Sequence, residues 1–235
     1  MIETPVVVLT GAGISAESGV PTFRGTEGLW RNFRPEDLAT PEAFARDPNL
    51  VWEWYAWRRE MIARCVPNAA HRVLVAMEQR LGRGDFTLVT QNVDGLHEAA
   101  GSQSNLCLHG SMWAMRCTRE GTRYPDRRVP LEEIPPLCPG CGALLRPDVV
   151  WFGEALDREV LEAAIAASRR ARTMIVIGTS AVVQPAASLP LLAKRNGARL
   201  IEINPDETPL SAYADEVLRG PAAVELPRWW ALQVG

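Results

Sequence analysis

The segment from Val6 to Gly19 constrains the fold of this chain more than any other stretch of the sequence. It opens with four apolar residues, three of them β-branched valines, which is typical of a short buried β-strand. Gly11 and Gly13 follow, and their lack of a Cβ atom lets the backbone turn tightly. The polar residues from Ser15 onward predict the start of a helix, whose free N–H groups favour an anion. The strand, the Gly-x-Gly-x-x-Ala turn and the helix predict a dinucleotide-type phosphate cradle, with an ordinary tight turn as the alternative.

The rest of the chain predicts an α/β fold with a Rossmann-like parallel sheet that helices cover on both faces. Apolar segments typical of buried strands alternate with helical ones, as expected for such a sheet. The predicted strands span residues 6–9, 85–90, 105–110, 174–178, 199–204 and about 216–218. The predicted helices span residues 41–44, 50–65, 68–81, 157–170 and 186–195. Between residues 111 and 150, cysteine, proline and arginine become more frequent, which indicates a small inserted module.

Composition narrows the class of protein. The 235 residues, 47% hydrophobic and 23% charged, suit a globular chain with one large domain and a small insert. A net charge of −3 gives no general attraction to nucleic acid or to an anionic membrane. The first strand follows Met1 closely, and no apolar run approaches ~18 residues, so we expect neither a targeting peptide nor a membrane span. Five cysteines, an odd number, indicate a reducing compartment, and we expect a cytoplasmic protein.

Small and polar residues gather at the carboxyl ends of the predicted strands, where ligands bind in sheets of this kind. Beside the first turn, these ends carry Gln91–Asp94, His109, Gly178–Ser180 and Asn204–Asp206. Asn204 ends the strand that follows Ser180, at the spacing expected of a residue that recognises the adenosine ribose. The sequence therefore predicts one ligand site shared by several strand ends.

The loop at residues 20–25 does not fit a hydride-transferring dehydrogenase, which needs a second strand and an acidic ribose partner at this point. It carries Phe23, which can shield a reactive carbon from water, and Arg24, which can meet a phosphate. Together with residues 11–15, this loop resembles the NAD-binding signature of the sirtuins, the NAD-dependent protein-lysine deacylases. Matches to that family extend from residue 8 to residue 222. The resemblance implies that NAD is consumed as a co-substrate.

The resemblance also implies a domain organisation. Residues 1–235 would form a single sirtuin-type domain. Its large Rossmann-like part would comprise residues of about 1–30, 68–110 and 155–235. A small module would consist of a helical insertion at about 31–67 and a cysteine-containing, zinc-ribbon-like insertion at about 111–150.

Roles for individual residues follow from the same resemblance. Val93 and Asp94 are implied to hold the nicotinamide amide. Gln91 and Asn92 are implied to position the ribose and its water. His109 is implied to be the general base, a role that suits a side chain titrating near neutrality. The residues implied to bind NAD are Gly11, Ala12, Gly13, Ser15, Phe23, Arg24, Gln91, Asn92, Val93, Asp94, Gly178, Thr179, Ser180, Asn204, Pro205, Asp206 and Ala222; those implied to be catalytic are His109 and Asn92.

The implied reaction transfers an acyl group from lysine to ADP-ribose. The acyl oxygen attacks the ribose carbon that bears nicotinamide, which releases nicotinamide and gives an imidate. His109 then activates a ribose hydroxyl against the imidate, and water completes the transfer, giving O-acyl-ADP-ribose and free lysine. Transfer of ADP-ribose to protein shares the first step and is the main alternative; hydride transfer and a non-enzymatic zinc-ribbon binding module are the others. His71 fits a helix start and His97 a helix face, so neither receives a catalytic role.

Tyr55 and Arg58 predict the preferred acyl group. They lie at positions i and i+3 of a predicted helix and therefore share a face. A phenol beside a guanidinium suits a carboxylate, since the arginine fork binds it bidentately and the hydroxyl adds a third donor. The pair resembles that of the sirtuin branch that removes succinyl and malonyl groups, the bacterial class III type. The alternative is a tryptophan-rich amphipathic helix with Arg58 exposed.

The segment Val149–Glu154 predicts a peptide-binding edge. Its β-branched and aromatic residues lead to a glycine, a pattern that favours pairing with an extended peptide. In sirtuins this segment and a loop matching residues 181–185 clamp the substrate backbone. Val150, Phe152 and Gly153 are therefore implied to bind acyl-lysine proteins as extended peptides.

Cys138 and Cys141 have the Cys-x-x-Cys spacing of half a structural zinc site. The other half has Cys117, with Glu120 at the position where the second cysteine belongs. This departs from the four-cysteine pattern of the family. Three thiolates with Glu120 or water can bind a structural zinc ion, and a metal-free module is the alternative.

Overall fold

The computed structural model describes residues 2–22 and 34–234, and within these ranges the chain forms two sheets. The strands are β1 (Val6–Thr10), β2 (Phe86–Thr90), β3 (Asn105–Cys107), β4 (Gly110–Cys117), β5 (Arg123–Pro125), β6 (Leu145–Val149), β7 (Thr173–Ile177), β8 (Arg199–Ile203) and β9 (Glu216–Leu218). The larger sheet is parallel throughout, in the order β3-β2-β1-β7-β8-β9. This is the strand order of the Rossmann fold, so the predicted fold class is confirmed.

Helices surround this sheet and form part of the smaller module. They are α1 (Gly13–Ala16), α2 (Pro35–Leu38), α3 (Pro41–Arg46), α4 (Pro48–Ile62), α5 (Ala69–Leu81), α6 (Leu96–Ala100), α7 (Arg158–Arg170), α8 (Leu189–Arg195) and α9 (Ala222–Val234). Short 3-10 turns at Ala186–Ser188 and Ser211–Tyr213 complete the described elements. Among the helices of the described ranges, none has the length and apolarity needed to cross a lipid bilayer.

The side chains of β1 show how the larger sheet is covered on both faces. Val6 and Val8 pack with Leu74 of α5 and Trp229 of α9 in one hydrophobic cluster. Successive side chains of a strand point to opposite faces, and Val7 accordingly packs with residues of α7 and α8 in a second cluster. All five residues of β1 are buried, which explains why the first four of them form a continuous apolar run in the sequence.

The smaller module consists of the antiparallel sheet β5-β4-β6 and the helices α2 to α4. Residues of α3, α4, β4 and β6 share a third hydrophobic cluster. Trp52 of α4 is fully buried there and donates its indole N–H to the carbonyl oxygen of Leu145 at 2.8 Å. The helical and the cysteine-containing segments therefore share one core, although they are far apart in the sequence.

Several predicted boundaries were wrong. α4 begins at Pro48, with Asp47 as its N-cap, because a proline at the first helical position lacks only an N–H that would have no partner in the helix. The strand predicted at residues 105–110 ends at Cys107, and an antiparallel strand starts at Gly110. The chain thus leaves the parallel sheet earlier than the apolar pattern indicated.

Two helices also differ from the prediction. α1 is a single turn that begins at Gly13 and ends at Ala16, whereas the polar residues from Ser15 onward predicted a helix that starts there. α9 was not predicted, since it follows Gly220 and Pro221 and contains Pro227, and prolines usually argue against a helix. Burial of Leu226 and Trp229 against the sheet stabilises this helix despite the internal proline.

The turn after β1 packs directly against the turn after β7. A Cβ atom on Gly13 would lie 2.7 Å from Gly178 Cα, and one on Gly11 would lie 2.7 Å from Thr179 Cβ. Gly178 itself has a φ of +61°, and its Cβ atom would lie 2.5 Å from the backbone nitrogen of Ile14. Glycine is required at these positions because the two backbones touch, and not only because the first turn is tight.

The variant Gly178→Ala should lower the free energy of unfolding by roughly 3 kcal/mol, because a backbone clash adds to the strain of a positive φ. Gly197→Ala is the matched control, since Gly197 has a φ of +90° but a Cβ atom there would meet nothing within 4 Å. Strain alone should cost the control about 1 kcal/mol. Urea unfolding measures both values, and equal losses would contradict the packing argument.

Candidate functional site

A cavity of about 750 Å³ opens at the carboxyl ends of β1, β2, β7 and β8 and extends to the smaller module. Thirteen of the residues predicted to bind NAD line it: Gly11, Ala12, Gly13, Gln91, Asn92, Val93, Gly178, Thr179, Ser180, Asn204, Pro205, Asp206 and Ala222. His109, Tyr55, Arg58, Val150, Phe152 and Gly153 line it as well. Ser15 and Asp94 are buried outside this lining, and Phe23 and Arg24 lie outside the described residues.

The turns after β7 and β8 form one end of the cavity and are hydrogen-bonded to each other. The side-chain nitrogen of Asn204 donates to the carbonyl oxygen of Thr179 at 2.8 Å. Behind them lies Glu202, a carboxylate that is only 1% exposed and accepts hydrogen bonds from Thr208, Ser211 and Arg219. Arg219 also donates to the carbonyl oxygen of Asp206 at 3.0 Å.

Glu202 and Arg219 were missed by the sequence analysis, although they hold the loop after β8 in place. A charged residue between the apolar Ile201 and Ile203 of β8 was the available signal. Because a buried carboxylate is costly unless it is hydrogen-bonded, its presence indicates a partner from another segment.

Gln91 and Asn92 follow β2 and join it to the neighbouring turns. Gln91 Nε2 donates to the hydroxyl of Thr179 at 3.0 Å. Asn92 Nδ2 donates to the carbonyl oxygen of Gly11 at 3.1 Å, and its backbone N–H donates to the hydroxyl of Thr90 at 3.0 Å. These bonds fix both amide side chains at the cavity wall, as expected for polar groups that lose contact with water.

A buried polar network supports Asn92 from the side away from the cavity. Ser15 donates to Asp94 Oδ2 at 2.7 Å and lies 3.4 Å from Asn92 Nδ2. His71 Nδ1 accepts a backbone hydrogen bond from Asn68, so its other nitrogen carries the proton and faces the Ser15 hydroxyl at 3.4 Å. Burial raises the pKa of Asp94 and lowers the pKa of His71 to about 3.

The predicted helix-start role of His71 is confirmed, since Asn68 and His71 form a capping box at the start of α5. The prediction for His97 is correct in placing it on a helix, but this side chain is buried and its Nε2 lies 2.9 Å from the Thr10 hydroxyl. Burial lowers the pKa of His97 to about 4, so both histidines are neutral at pH 7.

His109 lies in the connection between β3 and β4, at the cavity wall. Its Nδ1 is 3.0 Å from the carbonyl oxygen of Gln91, which can only accept, so Nδ1 carries a proton and donates. In the neutral imidazole Nε2 is then the nitrogen with a free lone pair. Burial lowers the pKa of His109, which favours this neutral form. The geometry suits a general base that acts through Nε2.

Tyr55 and Arg58 of α4 line the end of the cavity that the smaller module forms, and both are buried. Arg58 is 4% exposed, so the alternative of a surface arginine is excluded. Its guanidinium lies over the Trp54 ring at 4.8 Å from the centroid, and burial lowers the pKa of Arg58. Trp151 donates its indole N–H to the Tyr55 hydroxyl at 3.0 Å.

Several backbone N–H groups of the predicted peptide-binding segment are already hydrogen-bonded within the chain. The N–H groups of Val150, Trp151 and Phe152 donate to His109, Glu154 and Ala39 respectively. An extended peptide can therefore pair with this segment only through its other backbone groups. Gly153, with a φ of 86°, and the exposed Phe152 lie beside those groups in the cavity lining.

The four predicted metal ligands come together in the smaller module. The ligand atoms of Cys117, Glu120, Cys138 and Cys141 all lie within 4.8 Å of one another. Three thiolates and one carboxylate in such a cluster fit the tetrahedral coordination of zinc. The cluster ties the end of β4 to the loop before β6, so a bound zinc ion would act structurally.

Comparison with known proteins gives consistent matches. The model of the Sir2 family matches residues 11–185 of the chain. An NAD-dependent protein deacylase of Aquifex aeolicus (strain VF5) is 54% identical over 223 residues, 95% of this chain and 92% of that protein. The structure of a Sir2 homolog–NAD complex is similar with a TM-score of 0.89 and 52% identity, covering 99% of this chain and 92% of the other. A Sir2–p53 peptide–NAD+ structure has a TM-score of 0.84 and 34% identity, covering 98% and 94%.

We expect the purified, untagged protein to contain about one zinc ion per chain, because the four ligands are already gathered. Cys138→Ser should abolish binding, and Glu120→Gln should weaken retention against a chelator by removing a charged ligand. Glu132→Gln, an exposed position in the same module, is the control. Native mass spectrometry measures the number of zinc ions per chain. If Glu120→Gln retains zinc against the chelator as well as the wild type does, the Glu120 carboxylate is not a ligand.

Proposed function

This chain belongs to the Sir2 family, and we propose that it is an NAD-dependent protein-lysine deacylase that removes succinyl, malonyl and acetyl groups. One observation carries the proposal. A single cavity is lined both by strand-end turns of the type that bind dinucleotides and by His109 with the buried pair Tyr55 and Arg58. A dinucleotide and an acylated lysine side chain can therefore meet in it. The products are nicotinamide, O-acyl-ADP-ribose and free lysine.

NAD is a co-substrate that supplies a ribose carbon with nicotinamide as its leaving group. We assign its adenosine half to the end formed by Thr179, Asn204 and Asp206, where the exposed Asp206 carboxylate can accept hydrogen bonds from a ribose. The nicotinamide half is assigned to the wall formed by Asn92 and Val93. The side-chain hydrogen bonds of Asn92 support this assignment, since donation from its Nδ2 to the carbonyl oxygen of Gly11 and to the Ser15 hydroxyl holds its amide in one orientation.

Ser15 and Asp94 are assigned a different role from the direct contact that the sequence resemblance implied. Both are buried outside the cavity lining and are hydrogen-bonded to each other. Ser15 also contacts the side chain of Asn92. We therefore assign these residues to holding Asn92 in place, so that their effect on the co-substrate is indirect.

His109 is the general base in this proposal. Its Nδ1–H donates to the carbonyl oxygen of Gln91, and this hydrogen bond fixes the orientation of the ring. Nε2 is then the nitrogen that removes a proton from a ribose hydroxyl. The deprotonated hydroxyl then attacks the acyl carbon. Because burial lowers the pKa of His109, the base is already unprotonated at neutral pH.

The acyl group is assigned to the end of the cavity at α4. A carboxylate at the tip of a succinyl or malonyl chain would face the Arg58 guanidinium and the Tyr55 hydroxyl. Burial supports this assignment, because a desolvated guanidinium gains more from an anionic partner than an exposed one does. The acetyl group lacks that carboxylate and so has no anion to pair with the Arg58 guanidinium.

The acylated protein is assigned to the rim of the cavity, as an extended peptide along residues 150–153. The exposed Phe152 and the cavity position of Gly153 support this placement. We also propose that residues 31–67 and 111–150 form one module that carries the acyl and peptide sites. The hydrophobic cluster that joins α3 and α4 to β4 and β6 supports this division.

Incubation with NAD and matched succinyl-lysine and acetyl-lysine peptides should release nicotinamide and deacylated peptide, both measured by chromatography. His109→Ala should lower formation of deacylated peptide by about 100-fold or more, the usual effect of removing a general base. Release of nicotinamide should fall less, because the base acts after that step. Equal losses of both products would contradict the assigned role.

The same assay tests the protonation state of His109. As the pH falls through a lowered pKa, the base is protonated and kcat/KM drops, so the acidic limb should have its midpoint below pH 6.5. A midpoint above pH 6.5 would contradict the inferred burial effect.

Arg58→Met should lower kcat/KM for the succinyl-lysine peptide by about 100-fold relative to that for the acetyl-lysine peptide, because it removes a charged hydrogen-bond donor from a buried site. Arg64→Met makes the same chemical change at an exposed position just beyond α4 and serves as the control. Equal losses on the two peptides would reject the carboxylate pocket and leave the deacylase proposal intact.

A further inference from the structure

The Tyr55 hydroxyl accepts a hydrogen bond from the indole N–H of Trp151, at an N–O distance of 3.0 Å. An indole N–H can only donate, so the phenolic oxygen is the acceptor in this contact. A phenol O–H lies near the plane of its ring, in one of two orientations. Because the indole occupies the lone pair on one side, the hydroxyl hydrogen is turned to the other side, away from Trp151.

Trp151 is itself held firmly in place. The Arg146 guanidinium lies 3.4 Å from the centroid of its ring and forms a bidentate pair with Glu154, at 2.6 and 2.8 Å. The backbone N–H of Trp151 donates to the same carboxylate at 2.8 Å, and Phe44 packs against the ring at 5.3 Å. The indole is 3% exposed, so its N–H has a single direction.

Tyr55 is equally constrained and remains a hydrogen-bond donor. Its ring meets Trp54 edge to face at 4.8 Å, and the side chain is buried. Burial raises the pKa of Tyr55, so the phenol keeps its proton across the usual pH range. Arg58, one helical turn further along α4, lines the same cavity.

We propose that Trp151 sets the preference for acyl chains that end in a carboxylate, by turning the Tyr55 hydroxyl into a donor toward the anion that Arg58 binds. This inference rests on the proposed deacylase function and its carboxylate pocket. Trp151 is a positioning residue in this scheme, because it acts through Tyr55 and needs no contact with the acyl group. Without the indole, the hydroxyl divides its time between two orientations, and only one of them faces the anion.

Trp151→Phe tests the inference, since it removes the indole N–H and keeps an aromatic ring for Arg146 and Phe44. The quantity measured is the ratio of kcat/KM for the succinyl-lysine peptide to kcat/KM for the acetyl-lysine peptide. We expect Trp151→Phe to lower this ratio about twofold, because a hydroxyl that spends only half its time in the binding orientation halves the apparent affinity for the carboxylate. Tyr55→Phe should lower it at least as much, and Trp151→Phe should have no further effect in the Tyr55→Phe background.

Trp52→Phe is the matched control. Trp52 lies on the same helix as Tyr55 and also donates a buried indole hydrogen bond, at 2.8 Å to Leu145, but it is outside the cavity lining. This control should keep the wild-type ratio, and thermal unfolding checks that each variant is folded. If Trp151→Phe does not fold, Glu154→Gln, which weakens the Arg146 clamp on the indole, should lower the ratio in the same direction.

If the wild type favours the succinyl peptide and folded Trp151→Phe keeps the wild-type ratio, the inference about Trp151 is wrong. The proposed deacylase function would stand. A further fall in the Tyr55→Phe background, or an equal fall in Trp52→Phe, would also overturn the inference, since the effect would then not pass through the hydroxyl. A wild type that does not favour the succinyl peptide would overturn the carboxylate pocket, and the inference with it.

Discussion

The contact between two backbone turns, one after β1 and the other after β7, is the constraint on which the rest of the cavity depends. A Cβ atom at Gly11, Gly13 or Gly178 would lie within 2.8 Å of the facing turn. Because no side chain separates the turns, Asn92 can reach the carbonyl oxygen of Gly11, and Gln91 can reach Thr179. The polar groups at three strand ends are thereby set in one wall.

Behind this wall lies a buried network of hydrogen-bonded polar side chains, in which the histidines are neutral. Ser15, His71 and Asp94 are hydrogen-bonded to one another or to Asn92, and all of them are buried. Burial lowers the pKa values of His71 and His97, so the network adds no positive charge beneath the cavity floor. Such a support fixes the orientation of Asn92 without placing a buried cation beneath the cavity.

The sequence predicted the larger sheet well, because its central strands are mostly apolar and the polar residues that follow these strands line the cavity. The convergence of Gln91, His109 and Asn204 followed from the same rule. What escaped prediction depends on contacts between distant segments. The hydrogen bond from Trp151 to Tyr55 joins residues 96 positions apart, and burial of α9 outweighs the breaking tendency of Pro227. Local pattern carries no information about either.

The position of α9 has a consequence for how the protein is made. Ala222, the first residue of this helix, lines the cavity, and Leu226 and Trp229 cover the face of β1 that Val6 and Val8 occupy. During synthesis the first strand therefore leaves the ribosome long before the helix that shelters it. Until some two hundred further residues have been added, α5 can cover this apolar face of the earliest strand only in part, and the remainder stays open to water and to other nascent chains.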